Sequence, residues 1–297
     1  MKVAVIIVSY NFEPWMDRCL GSLRESTLPV TVWVVDNAST DQTVSLIRAN
    51  YPEVNIIQNT SNKGFGAANN QGMAEAIQKQ FDYVFLLNQD AWVDENTIET
   101  LVKLGENHPE FGIISPVHLT GKGDELDFGF ADYTHLTTKD LLPSAEFTEV
   151  NFVNAAFWMI PVRILCEVGG FSPLFYHYGE DVDFVNRMHF HHYKIVYAPV
   201  FGYHDRERRI VTKPMEYRAK TVYLMTAFAN PNHSFSYCFV KAIGGGCEQI
   251  VNSIRTHDWK GIWVYLKYTL GLLVKTPQIL RVRNMVKQKS KCFIQKI

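Results

Sequence analysis

The sequence predicts an α/β protein with a doubly wound, mostly parallel sheet flanked by helices, followed by a C-terminal helical extension. Three observations carry that expectation. Short β-branched runs alternate with longer amphipathic segments three times in the first 90 residues, the pattern of a parallel sheet with helical crossovers. Each apolar run ends in a polar turn. Residues 259–297 hold nine of the 29 Lys and Arg side chains and none of the 30 Asp and Glu, which sets that stretch apart from the body. At 297 residues the chain can bury one large core with an appendage.

Taken in order, Val3 to Val8 is the first strand, and Pro14 to Ser26 a helix with Trp15, Cys19, Leu20 and Leu23 on one face. Val30 to Val35 is the second strand, with a helix following to Asn50. Val54 to Ile57 is the third, Gly64 to Gln80 the third helix, and Tyr83 to Leu87 the fourth strand. A helix is expected over Thr97 to His108, a short strand over Gly112 to Ser115, and a long loop over Gly121 to Pro143. Asn151 to Ile160 reads as a strand, and Pro161 opens a helix that Gly169-Gly170 closes. A further helix runs from Gly179 to His192, and a strand over Lys194 to Ala198 leads through Pro199 to His204. Met215 to Ala229 reads as a helix, Gly244-Gly245-Gly246 as a hinge or breaker, and Trp259 to Val274 as an apolar helix interrupted by Lys260 and Lys267.

In an open α/β sheet, ligands sit outside the C-terminal ends of the strands. Polar residues gather there four times: Ser9-Tyr10-Asn11, Asp36-Asn37, Asn59 to Gly66, and Asn88-Gln89-Asp90. One such loop is ordinary turn chemistry; four on one sheet edge point to a shared crevice. A dinucleotide site is excluded because the nearest glycine pattern, Gly64-Phe65-Gly66, follows the third strand and lacks a third glycine. Asp90, at the end of a buried strand, is a candidate metal ligand. Glu180, Asp181 and Asp183 open a helix, where capping and the helix dipole account for acids and where a fixed carboxylate can also serve as a general base. His204 reads as an ordinary histidine on its own, and His189, His191 and His192 as a solvated helix end.

The charge distribution excludes a nucleic-acid binder, which carries its basic residues on the folded body. Five scattered cysteines with no close pair, and no export segment, lead to the expectation of a reducing cytoplasm. For residues 259–297 an interfacial amphipathic helix with a basic extension, including Arg281, Arg283, Lys287, Lys289, Lys291 and Lys296, fits better than a spanning helix. A helix packed on the parent domain is the alternative.

The ordered set Val8-Ser9-Tyr10-Asn11, Val35-Asp36-Asn37, Asn62-Lys63-Gly64-Phe65-Gly66, Leu87-Asn88-Gln89-Asp90 and Gly179-Glu180-Asp181-Val182-Asp183 resembles a family 2 glycosyltransferase of the GT-A fold. Within that family, Asn62-Lys63-Gly64-Phe65-Gly66 and Leu86-Leu87-Asn88-Gln89-Asp90 are similar to bacterial rhamnosyltransferase-like members. The resemblance implies a GT-A domain over residues 1–210, with a nucleotide-sugar half at about 1–92 and an acceptor half at about 93–210, before a helical extension over 211–297. It implies an inverting transferase that moves a sugar, rhamnose by preference, from a dTDP- or UDP-sugar to a glycan or lipid-linked acceptor in surface polysaccharide synthesis. The alternatives are another hexose or N-acetylhexosamine, or a non-catalytic nucleotide-sugar scaffold.

By the same resemblance Ser9, Tyr10, Asn11, Asp36, Asn62, Lys63, Gly64, Asn88 and Gln89 line the nucleotide-sugar pocket, with Asp36 accepting from the N3–H of the base. Asp90 and His204 hold Mg²⁺ or Mn²⁺, Asp181 is the catalytic base, and Glu180, Asp183, Trp158 and Tyr178 bind the acceptor. Asn88 stands where the family has a first aspartate. The implied location is the cytoplasmic face of the membrane, with peripheral contact through 259–297.

Overall fold

A computed structural model describes residues 1–138, 145–206 and 211–294. Its first part is the expected alternation: β1 (Val3–Ser9), α1 (Met16–Arg24), β2 (Val30–Asp36), α2 (Thr43–Asn50), β3 (Asn55–Gln58), α3 (Phe65–Gln78) and β4 (Tyr83–Asn88). There follow β5 (Ala91–Val93), α4 (Thr97–Asn107), β6 (Phe111–Thr120), α5 (Phe128–Thr134), β7 (Thr148–Glu149), β8 (Phe157–Pro161), α6 (Val162–Val168), α7 (Glu180–Phe190) and β9 (Lys194–His204). The extension is α8 (Lys213–Ala229), α9 (Phe235–Arg255) and α10 (Trp259–Val286).

The strands form one sheet in the order β3-β2-β1-β4-β8-β6-β9-β5, with β7 also on β9. Pairing is parallel through β3, β2, β1 and β4 and again between β6 and β9. β8 joins the two blocks antiparallel to both neighbours. Alternate side chains of each strand face opposite sides. Val3, Val5 and Ile7 pack with Leu20, Ile47 and Leu101 on one face, while Ala4 and Ile6 pack with Met73, Leu165 and Phe184 on the other.

Several expectations change in the second half. β6 does not stop at Ser115, and β9 does not stop at Ala198. Pro116 and Pro199 interrupt the apparent strands, but one register shift, from Pro116↔Ala198 to Val117↔Phe201, absorbs both prolines and lets the pair run on to Thr120↔His204. That shift is what carries His204 to the edge of the site. The expected strand over 151–160 is confined to Phe157–Pro161, and the expected loop over 121–143 contains α5, capped by Asp127. Residues 139–144, the Glu207 to Arg209 run, the boundary at 210 and Lys296 lie outside the described residues.

The glycine triplet does not break a helix. Gly244 to Gly246 lie inside α9, and a Cβ on Gly246 would collide with Thr269 of α10, so the small residue there permits close helix approach rather than bending. The extension has its own apolar core, including Phe175, Leu224, Phe228, Cys238, Leu272 and Ile279.

Part of the basic stretch is used internally. Arg283 is 1% exposed and donates to the carbonyls of Phe228 at 3.0 Å and His233 at 2.9 Å. Beyond α10 the chain turns back onto the sheet domain. Lys289 pairs with Glu167 at 2.5 Å, Ser290 N–H donates to the Glu167 carbonyl, Gly170 N–H donates to the Cys292 carbonyl, and Asn70 Nδ2 donates to the Phe293 carbonyl at 3.2 Å. No helix among the described residues is long and apolar enough to cross a membrane.

Candidate active site

The loops after β1, β2, β3 and β4 converge as the topology requires, and side-chain hydrogen bonds tie them together. Gln89 clamps the Tyr10 backbone in both directions: its Oε1 accepts from Tyr10 N–H at 2.8 Å and its Nε2 donates to the Tyr10 carbonyl at 3.2 Å. Asn37 Nδ2 donates to the Gly64 carbonyl at 3.3 Å, while Asn37 Oδ1 accepts from Asn59 Nδ2 at 3.0 Å and from Lys63 N–H at 3.3 Å. Asn59 and Gln71 exchange two further bonds. The result is a cavity of about 250 Å³ lined by Ser9, Tyr10, Asn37, Asn62, Gly64 and Gln89, with Tyr176 and His177 opposite.

Tyr176 belongs to the aromatic loop after α6, and its hydroxyl donates to the Asn62 carbonyl at 3.1 Å. Gly64 sits at φ +83°, and a Cβ there would strike the Tyr176 carbonyl. Only glycine meets both conditions, so this residue lets the aromatic loop close over the nucleotide-side loops.

On the neighbouring edge, β5 pairs with β9 so that Ala91 faces His204. This brings His204 Nε2 within 3.1 Å of Asp90 Oδ1. His204 is 3% exposed and its Nδ1 has no partner. Across the crevice, the N-terminus of α7 presents three acids in different settings. Asp183 is buried in an ion pair with Arg187 at 2.9 Å, and Arg187 also donates to the carbonyls of Val168 and Gly170. Glu180 is 6% exposed with an unpartnered Oε2; burial, reinforced by repulsion from Asp181, pushes its carboxyl up to about 7. Asp181 remains partly exposed, accepts from Val182 N–H at 2.8 Å, and is raised by burial. A carboxylate raised in this way and open on one side suits proton abstraction.

Residues 4–166 match the model of Glycosyl transferase family 2. The chain belongs to that family. It is 24% identical over 223 residues to an N-acetylglucosaminyl-diphospho-decaprenol L-rhamnosyltransferase of Mycobacterium tuberculosis, covering 66% of this chain and 73% of the relative. It is 27% identical over 130 residues to the poly(ribitol-phosphate) beta-N-acetylglucosaminyltransferase TarS of Staphylococcus aureus, covering 41% of this chain and 22% of that protein. A crystal structure of S. aureus TarS 1–349 in complex with UDP-GlcNAc superposes with TM-score 0.55 at 15% identity, over 91% of this chain and 92% of that one. The longer TarS structure gives 0.54 at 17% identity, over 80% of this chain and 42% of that one. These likenesses establish the GT-A fold.

Within this family 2 domain, most of the residues singled out from the sequence come together. Ser9, Tyr10, Asn62, Gly64 and Gln89 line one cavity. Asn11, at φ 55°, braces the loop by accepting from Thr40 N–H at 2.9 Å. Lys63 contributes its backbone, and Asn88 ends β4 beside Val8.

Three of the predicted residues are buried. Asp36 is fully buried, its carboxylate engaged by Ser9 and by the Ser39 hydroxyl and N–H. Trp158 is fully buried in β8, stacked on Phe171 with its Nε1 donating to the Val153 carbonyl; an acceptor cannot reach it. Asp183 is held by Arg187 and faces inward. Tyr178 stays on the surface at 48% exposure.

Asn37, Asn59 and Tyr176 were not singled out as site residues. Asn37 and Asn59 belong to the strand-end gatherings that point to a shared crevice, and Tyr176 to the aromatic loop, and those are the signals that could have found them. Among the described residues no three His, Cys, Asp or Glu side chains form a metal-binding group. Asp90 Oδ1 and His204 Nε2, 3.1 Å apart, nonetheless fit a cation that takes its remaining ligands from a diphosphate and water.

Proposed function

We propose that this family 2 protein is an inverting glycosyltransferase that uses a dTDP- or UDP-sugar, with rhamnose as the preferred donor sugar, and acts on a lipid-linked acceptor. The observation that carries the reading is the convergence of the strand-end loops on a cavity lined by Ser9, Asn37, Asn62, Gly64 and Gln89, with Asp90 beside His204 on the same sheet edge. Ser9, Asn37, Asn62 and the Tyr10–Gln89 clamp hold the nucleotide. Asp181 takes the proton from the attacking hydroxyl, and displacement from the far side of the sugar inverts the anomeric carbon. A divalent cation held by Asp90 and His204 would neutralise charge on the leaving diphosphate. Burial and the charge of Asp181 raise the Glu180 carboxyl to about 7, so the two neighbouring acids share the negative charge at the α7 N-terminus.

The mycobacterial relative's name supports rhamnose and a diphospho-lipid acceptor. The TarS match, an N-acetylglucosaminyltransferase by name, favours an N-acetylhexosamine as the second reading. Peripheral membrane contact is assigned to the outer face of α10, where Trp259, Trp263, Leu266, Leu270 and Leu273 recur at spacings of four and three, with the two tryptophans each 70% exposed. The test is a thermal-shift screen of dTDP-rhamnose, UDP-GlcNAc and UDP-glucose with and without Mn²⁺, followed by transfer to an undecaprenyl-diphospho-sugar. Stabilisation and transfer with dTDP-rhamnose are expected; nucleotide binding with no transfer from any donor would refute the catalytic reading.

A further inference from the structure

Between α8 and α10 lies a groove of about 450 Å³ that belongs to no part of the nucleotide-side cavity. Its floor is apolar, built from Met225, Val264, Tyr268 and Leu272, and its rim carries Arg218, Lys267 and Lys275. All three cations are exposed, and among the described residues none of them makes an ion pair. Three unpaired cations over an apolar trough are complementary to an amphiphile with a compact, multiply charged anionic head and a hydrocarbon tail.

The groove is also joined to the catalytic side. The Arg218 guanidinium lies over the Tyr178 ring, 5.5 Å from its centroid. Tyr178 precedes Gly179, the cap of α7, and thus stands three residues before Asp181. Val222, one helical turn beyond Arg218, is close enough to Gly179 that a Cβ there would touch it. On α10, Val264, Lys267, Gly271 and Lys275 share the groove face, while the exposed tryptophans occupy a different one. A molecule whose tail lies in a bilayer touched by that outer face therefore meets the cations next, and the acceptor loop after them.

We propose that this groove binds the diphosphate and the first isoprene units of a lipid-linked acceptor, with Arg218, Lys267 and Lys275 on the diphosphate. The inference rests on the lipid-linked acceptor reading above and extends it to a site. It also assigns Arg218 a second role, since the same side chain stacks on Tyr178 and fixes the spacing between the lipid head and Asp181.

The experiment titrates the full chain, in the presence of EDTA, with farnesyl diphosphate, farnesol and inorganic diphosphate by calorimetry. Wild type is compared with Arg218→Gln and with the Lys267→Glu/Lys275→Glu double variant. Farnesyl diphosphate is expected to bind at least about tenfold more tightly than either half-ligand, and each variant to weaken it by about tenfold or more. Thermal shifts with dTDP and UDP, which report the other cavity and correct folding, are expected to match wild type. Equal binding of farnesyl diphosphate by wild type and variants overturns the proposal, as does inorganic diphosphate or farnesol binding as tightly as the intact amphiphile. If farnesyl diphosphate binds as expected but no donor sugar is transferred, the catalytic reading fails and the groove stands. Transfer to a lipid-free acceptor without groove binding removes the groove and leaves the transferase.

Discussion

The cavity at the strand ends and the N-terminus of α7 are held in opposite ways. Around the nucleotide-side cavity nearly every polar side chain has found a neighbour: Asp36 with Ser9 and Ser39, Gln89 with the Tyr10 backbone, and Asn37 with Asn59 and Gly64. At the N-terminus of α7 a buried acid is left unsatisfied at Glu180. Satisfied networks rigidify a surface, whereas an unsatisfied buried group keeps free energy in reserve. The first arrangement suits recognition of a fixed moiety, the second proton transfer.

The sharpest way to break this contrast is Asp181→Asn. Transfer is expected to fall by about 10²–10⁴-fold, with dTDP or UDP binding unchanged; retained transfer would move the base elsewhere. Next in size is Gly64→Ala, which imposes a Cβ at positive φ against the Tyr176 carbonyl. A loss of about 1–3 kcal/mol in denaturant unfolding is expected, together with weaker nucleotide binding because the aromatic loop is displaced.

Glu180 tests the unsatisfied side by pH. Its carboxyl is raised from 4.5 to about 7 in the folded protein, so between those values the native state binds more protons than the unfolded one and stability falls as pH rises. Glu180→Gln should therefore leave stability at pH 4 nearly unchanged and raise it at pH 8, by on the order of 1–3 kcal/mol. A variant no more stable than wild type at pH 8 would contradict the burial argument. The smallest effect is expected from Asn70→Ala, which removes bonds to the Phe171 N–H and carbonyl and to the Phe293 carbonyl. About 1–2 kcal/mol should be lost, and the change should speed hydrogen exchange at Phe171 and in the first turn of α7.

The sequence made the nucleotide side legible because each strand there is a short apolar run ending in a polar turn, and its loops follow in chain order. The catalytic side was harder to read. Pro116 and Pro199 look like strand ends in isolation, and only their meeting in one bulge reveals two strands of ten and eleven residues. Trp158 carries the composition of a sugar platform, yet its position in a strand flanked on both sides places it in the core. Nothing in the spacing around Asp36 shows that Ser9 and Ser39 engage its carboxylate. By composition Arg283 is one more tail cation, yet it is buried on carbonyls of the last turn of α8 and of the α8–α9 connection.

The clasp made by residues 289–293 has a consequence for how the protein comes into being. Asn70 lies 223 positions before Phe293, so during synthesis the nucleotide-side strands and α3 emerge long before the segment that fastens Asn70, α6 and Gly170 together. Domains generally fold from the N-terminus as they leave the ribosome. A nascent chain can therefore form the parallel half of its sheet early while the Phe171 loop remains unlatched, and α7 acquires its final support only after α10 has been made and has folded back.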